Sequence, residues 1–233
     1  MKIDRIKKII KKVEKDRRNV LDLLESRELL KSIGIKLNKS GLAQDIHSAK
    51  QISEKIGFPV AMKIVSPDIL HKTEAGGVLL GLRDTKSAMQ GFKKIIENVN
   101  TVMPRARITG VLIEEMLSGN ELIVGTVKDR LFGNMIMFGI GGVLVELYRD
   151  VTFRLIPVKR VDVLEMLEEI KAKEILNGYR KSPGVNKEEL IEIILNISEL
   201  VENHPEIESM EVNPFIITEE GLVAIDARVI LKN

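Results

Sequence analysis

Lys63 stands inside an apolar run, Val60-Ala61-Met62-Lys63-Ile64-Val65, that is opened by Gly57 and Pro59. A short apolar run with that opening reads as a buried strand. An ammonium inside such a strand is costly unless it meets an anion. The loop that follows carries Ser66, His71, Lys72 and Thr73 and closes on Gly76-Gly77, a pair that lets backbone approach another group closely. Lysine, hydroxyls, histidine and glycines together suit a phosphate. On spacing alone, the same residues also describe a surface lysine on an edge strand beside an ordinary loop.

A second constellation lies near the C-terminus. In Glu211-Val212-Asn213-Pro214-Phe215, the period of a strand puts Glu211, Asn213 and Phe215 on one face. Ala224, Asp226 and Arg228 share a face of the next strand. With Thr218–Gly221 as a four-residue loop, Ile217 lies opposite Leu222. Asn213 then faces Asp226 and Glu211 faces Arg228, at opposed positions about 5 Å apart. A carboxylate beside a carboxamide oxygen suits Mg²⁺, which takes a few hard oxygen ligands and leaves positions for phosphates and water. A polar cross-strand pair is the structural alternative.

The stretch Pro59-Val-Ala-Met-Lys-Ile-Val-Ser-Pro-Asp-Ile-Leu-His-Lys-Thr-Glu-Ala-Gly-Gly-Val78 resembles the signature of the ATP-grasp subunit of ADP-forming acyl-CoA synthetases. The similarity runs from about Asn19 to the C-terminus, and the Glu-Val-Asn-Pro and Ile-Asp-Ala-Arg segments match the family's late Mg²⁺-binding strands. The resemblance implies an ATP-grasp fold with a small lobe at 19–110, a large lobe at 111–233 and nucleotide between the lobes. Strands and helices mixed without strict alternation themselves suggest α+β, and residues 1–18 form a basic amphipathic helix ahead of the resemblance. It implies that Lys63 contacts the phosphates of ATP or ADP and that Asn213 and Asp226 bind Mg²⁺. Glu114, Glu115, Met116 and Leu117 correspond to the segment that cradles adenine, with the backbone of Glu115 and Leu117 toward the base. Gly76 and Gly77 belong to the nucleotide site, and Glu121 is a candidate for a ribose contact or for an ordinary exposed strand glutamate.

The family moves phosphate through phosphohistidine, and neutral imidazole is a suitable carrier near pH 7. The principal phosphohistidine belongs to a CoA-binding alpha subunit that this chain does not contain, so His71 would be a second acceptor on the nucleotide side. The implied reaction is acyl-CoA + ADP + phosphate ⇌ acid + CoA + ATP, run by an α2β2 heterotetramer. One departure is the loop after the helix near residue 176, where relatives commonly show Arg-Gly and this chain has Arg180-Lys181. The beta subunit of a succinyl-CoA ligase is a rival of the same class, and a non-catalytic nucleotide- or nucleic-acid-binding protein is a rival of another.

Composition fits a soluble protein. The 233 residues are 44% hydrophobic and contain no cysteine, which excludes disulfides, thiolate metal sites and a cysteine nucleophile. No apolar run approaches the roughly 20 residues of a membrane span, and the charged N-terminus lacks the apolar core of a secretory signal. A cytoplasmic protein with no membrane partner is expected, and 30% charged residues without Cys or Trp fit a thermophile's habits. The formal net charge of +2 conceals an asymmetry, since residues 1–18 carry +6 and the remainder −4. Ile3, Ile6, Ile9, Ile10 and Val13 recur at helical spacing there, giving an amphipathic helix with a solvated basic face. No interleaved aromatics support nucleic-acid binding.

The elements that must position these groups follow from periodicity and breakers. Helices are expected at 19–33, 45–56, 86–100, 162–176 and 187–203, the last begun by Asn186 and Glu189 as a capping box. Strands are expected at 35–39, 60–65, 77–82, 110–116, 121–127, 134–138, 143–148, 153–158, 207–217 and 222–231. His47 reads as a solvent-facing helix residue, and His204 as a surface or C-terminal helix residue.

Overall fold

The computed structural model describes residues 2–142, 150–178 and 183–232. The strand expected at 143–148 and the Arg180-Lys181 departure lie outside the described residues. In chain order the first elements are α1 (Lys2–Lys15), α2 (Leu23–Ser32), β1 (Ser40–Ala43), α3 (Ile46–Ile56), β2 (Val60–Val65), β3 (Val78–Leu82), α4 (Thr85–Val102) and β4 (Gly110–Glu115). Then come β5 (Glu121–Asp129), β6 (Gly133–Ile140), β7 (Val151–Leu155), α5 (Arg160–Glu169), a 3-10 turn (Lys173–Asn177), α6 (Lys187–Asn203), β8 (Ile207–Thr218), β9 (Gly221–Ala224) and β10 (Ala227–Leu231). No helix among the described residues is long and apolar enough to cross a membrane.

Contacts divide the chain into two units, each with its own sheet. The smaller holds residues 22–24 and 38–117, the larger 1–21, 25–37 and 118–233. These limits differ from the expected 18/19 and 110/111. The strand Gly110–Glu115 is hydrogen-bonded between β1 and β2, so it cannot leave the first sheet. The N-terminal helices, for their part, bury their apolar faces in the core of the larger unit.

The smaller unit is a four-stranded antiparallel sheet in the order β1-β4-β2-β3. α3 and α4 cover one face, where Val60, Met62, Ile64 and Ile113 meet Ala49, Phe92 and Ile95. Both helices start on an aspartate. Asp45 accepts the N–H groups of His47 and Ser48, and Asp84 that of Ser87. The bonds from Ser48 and Ser87 hold these carboxyls below their ordinary range. The strand expected at 35–39 forms at Ser40–Ala43 instead. Within 35–39, Leu37 makes one bridge to Ala224, while Asn38 spends its side chain on the Glu115 carbonyl.

The larger unit has the sheet order β10-β8-β5-β6-β7, with β9 also paired to β8. α6 lies over it through Leu190, Ile191, Ile194 and Ile197, all buried. Asn186 caps α6 as expected, accepting the Glu189 N–H at 3.2 Å. The return half of the capping box is not made: the Glu189 carboxylate reaches the Leu222 N–H at 2.9 Å and ties the helix to the last hairpin. The helix expected through residue 176 breaks after Glu169. Asp150, itself buried, takes the N–H groups of Lys171 and Ala172 at 2.9 and 2.8 Å, which removes them from a helical ladder.

α1 docks on its own chain. Ile6, Ile9, Ile10 and Val13 enter the core of the larger unit, and Lys7, Lys8, Lys11, Lys12 and Lys15 stay outside. Its C-terminal end is tied through Glu25, which is almost fully buried. Arg18 grips that carboxylate with both Nη atoms, at 2.9 and 2.8 Å, and Lys12 meets it at 2.9 Å. His204, expected as a surface or C-terminal helix residue, is the C-cap of α6 and is buried there, which lowers its pKa. Truncating one partner of a buried ion pair costs about 3–5 kcal/mol. Glu25→Ala is therefore expected to lower unfolding stability by that order in a urea titration, where a loss below about 1 kcal/mol would remove the pair from this role.

Candidate nucleotide site

Lys63 lies on the central strand β2, not on an edge, and is buried. Strand period sends Val60, Met62 and Ile64 into the helix-covered core, and Lys63 to the other face with Val65, Leu112 and Glu114. The required anion is present. Glu114, 1% exposed, brings Oε2 to 2.9 Å from Lys63 Nζ. Register places Glu114 opposite Ala61 and Lys63 opposite Leu112, so the pair is diagonal across two neighbouring strands. Glu114 was expected only for its place in an adenine-facing segment; its side chain instead supplies the counter-charge of the lysine.

The loop from Ser66 to Gly77 is pinned at both ends. Asp68 accepts the Arg107 backbone N–H at 2.7 Å and pairs with its guanidinium at 2.6 Å. At the far end, the Gly77 N–H donates to the Lys72 carbonyl, and the Gly77 carbonyl accepts from Ile64. The close approach that the two glycines permit is internal. A Cβ on Gly77 would stand 2.4 Å from Ile64 Cγ2, and Gly76, at φ +65°, would press one against Asn98. Between the pins His71 is exposed, its Nδ1 3.8 Å from Glu74 Oε1.

The segment after β4 is partly committed. The Glu115 N–H donates to the Lys39 carbonyl, while its carbonyl accepts from Asn38 and its carboxylate pairs with Lys39. Of its two backbone groups, only the carbonyl, with a second lone pair, can still face a base edge. Met116 Sδ accepts the Gly81 N–H at 3.1 Å, and Leu117 is half-buried.

In the larger unit, the Glu121 carbonyl accepts the Gly141 N–H, and its carboxylate flanks Gly142. The C-terminal hairpin holds the expected register. Ile217 opposes Leu222, Glu211 opposes Arg228, and the Asn213 N–H donates to the Asp226 carbonyl at 3.1 Å. The connection is tighter than expected, since Thr218 pairs with Gly221 across a two-residue turn. Phe215 does not share a face with Glu211 and Asn213. The β5–β8 register shifts between Leu122 and Val124, opposite Asn213-Pro214, where proline has no N–H for the ladder. That irregularity turns Phe215 into the core with Val212 and leaves Asn213 exposed.

The hairpin residues fit a hard cation. Asn213 Nδ2 donates to Glu211 Oε1 at 3.0 Å, which fixes which end of the amide is its oxygen. Asp226 Oδ1 accepts the Ala227 N–H at 2.9 Å. Among the described residues no group of three or more His, Cys, Asp or Glu is placed to hold a metal ion. Glu211 as the orienting partner of Asn213, and Asp150 as the anchor of residues 171–172, escaped the sequence reading. The i, i+2 spacing of Glu211 and Asn213 was a usable signal; nothing in the sequence marked Asp150.

A family model described as an ATP-grasp domain matches residues 12–231. The chain belongs to the ATP-grasp family. It is 40% identical over 231 residues to the acetate–CoA ligase [ADP-forming] I subunit beta of Pyrococcus furiosus, covering 99% of each chain. It is 41% identical over 208 residues to the acetate–CoA ligase [ADP-forming] I of Archaeoglobus fulgidus, covering 89% of this chain and 30% of that longer one. The acetyl-coenzyme A synthetase 1 of Ca. Korarchaeum cryptofilum superposes with a TM-score of 0.82 at 34% identity, over 97% of this chain and 100% of the other. That synthetase was solved with coenzyme A and Mg-AMPPCP, its phosphohistidine segment pointing towards the nucleotide binding site.

The glycine geometry of this ATP-grasp chain is directly testable. Gly77→Ala forces a methyl into Ile64 and is expected to lower stability by about 1–3 kcal/mol in denaturant unfolding. An unchanged midpoint would show that the loop yields freely there.

Proposed function

We propose that this chain is the beta subunit of an ADP-forming acetate–CoA ligase. It catalyses the phosphoryl step between phosphohistidine and ADP within acyl-CoA + ADP + phosphate ⇌ acid + CoA + ATP. The observation that carries this reading is 40% identity across 99% of both this chain and a beta subunit of that name. The buried Lys63 and the opposed Asn213 and Asp226 support it, because phosphoryl transfer asks the protein mainly for positioning and charge balance.

In this reading Lys63 meets the nucleotide phosphates, and the Glu115 carbonyl and Leu117 backbone face adenine. Met116 packs beside the base, and Glu121 stands near the ribose. Gly76 and Gly77 set the path of the loop rather than touching phosphate. Asn213 and Asp226 hold Mg²⁺, which supplies charge neutralisation at the phosphate oxygens. The exposed His71 accepts the phosphoryl group as the N–P bond to the partner's histidine breaks. A β-phosphate oxygen of ADP then attacks phosphorus, the His71 N–P bond breaks, and ATP leaves with the imidazole regenerated. Glu74 stands where it can orient the ring. CoA and the acid bind a separate alpha subunit in a cytoplasmic α2β2 assembly, a reading supported by the fused relative in which this region is 30% of the chain.

The test is to purify the chain with its alpha subunit and assay CoA- and phosphate-dependent interconversion of ADP and ATP. Asp226→Ala is expected to weaken Mg²⁺-dependent ADP binding in calorimetry by about tenfold or more, with circular dichroism unchanged. Unaltered affinity would move the metal elsewhere. His71→Ala is expected to leave acyl-phosphate formation on the partner intact and to block ATP synthesis. Mass spectrometry under alkaline conditions should find phosphate on this chain only when His71 is present. A variant that makes ATP at the normal rate would reduce His71 to a structural residue.

A further inference from the structure

The larger sheet has two unlike faces. Thr152 and Arg154 of β7 turn toward α5, where the Thr152 hydroxyl donates to the Met166 carbonyl and Arg154 pairs with Glu169 at 2.6 Å. Register puts Ile136 and Phe138 on that same helix-packed side, fully buried. The alternate residues point the other way. Val127, Met135 and Leu155 line up across three strands, and Met137 lies opposite Phe153. Phe153 and Leu155 are 42% and 52% exposed on a strand that, among the described residues, pairs with β6 alone.

The β5–β6 turn extends this apolar ledge. Leu131 and Phe132 are 88% and 67% exposed. They are not held out by chance, since Asp129 Oδ1 accepts both of their backbone N–H groups, at 2.7 and 2.9 Å. The bonds from Phe132 and Leu131 keep that carboxyl below its usual range. A turn fixed by an ionised side chain, presenting a leucine and a phenylalanine to water beside a strand edge with no partner strand among the described residues, is a surface built to be covered.

We propose that this ledge is the docking surface for the CoA-binding alpha subunit, which rests on the ligase reading above. Three observations favour that occupant. This region is 30% of the length of the Archaeoglobus fulgidus relative, so most of that ligase lies in chain beyond the part matched here. The rim beside the turn carries Lys128 and Arg130, both exposed, and so fits a partner with an acidic margin. The ledge also runs without a step into the hairpin site. Glu211 and Met137 both flank Gly125, where an added Cβ would stand 3.6 Å from Met137 Cε. A partner seated on β6 is thus two strand spacings from Glu211, about 10 Å, close enough to present a phosphohistidine loop beside Asn213.

The test uses two variants of the chain, Leu131→Ser with Phe132→Ser, and Phe153→Ser alone, the first changing side chains mostly in water and the second one partly so. Each is titrated into a purified alpha subunit from the same organism, followed by light scattering and calorimetry. The expected result is assembly weakened by about tenfold or more, with the Mg-ADP affinity of the lone chain unchanged. Undiminished assembly in both variants would overturn the proposal. So would a wild-type chain that dimerises alone through this face and loses that dimer on substitution. A complex that forms through the ledge yet makes no ATP would sink the ligase reading and leave the docking surface standing.

Discussion

A lysine ammonium buried in the central strand of the smaller sheet is the constraint around which that unit is arranged. Removing the charge from water is costly, and the structure answers with Glu114, placed diagonally on the neighbouring strand at 2.9 Å. Such a pair adds little net stability, because desolvation of both groups offsets the attraction. It is better understood as a device that lets a lysine be placed on an otherwise apolar face with its counter-charge beside it. The neighbours of that face, Val65 and Leu112, cannot bind an anion. Lys63 is the cation that this face offers, held by Glu114.

The hairpin of the larger unit solves a complementary problem, that of gathering hard oxygens without closing a cage. An antiparallel register carried through from the Thr218–Gly221 pair sets Asn213 against Asp226. Glu211 holds the Asn213 amide, and Glu189 of α6 holds the hairpin itself at Leu222. The proline after Asn213 interrupts the ladder on the β5 side. The core face and the exposed face can therefore change phase at that point, with Phe215 going inward and Asn213 staying outward.

Much of this was legible in the residues. The apolar run around Lys63 announced a buried strand and an anionic partner, and the turn residues were enough to count the hairpin into register. What escaped depended on contacts far apart in sequence. Glu114 reads as one of two adjacent glutamates until β2 and β4 are paired. Asp150 ends the helix before Ile170 through bonds to residues 171 and 172, and no local signal there competes with helical periodicity. Gly76 and Gly77 suggested a phosphate cradle because glycine marks close approach without saying to what; the approach is to Asn98 and Ile64. The face of Phe215 was misjudged because strand period was carried through a proline that breaks it.

The account turns on Lys63 being a phosphate handle rather than a structural curiosity. The most direct measurement is calorimetric titration of Mg-ADP into the wild-type chain and into Lys63→Met, whose side chain replaces the charge by an apolar stem of similar length. The account predicts a folded variant whose Mg-ADP affinity falls by about tenfold or more. A folded Lys63→Met chain that binds Mg-ADP as tightly as the wild type would contradict it.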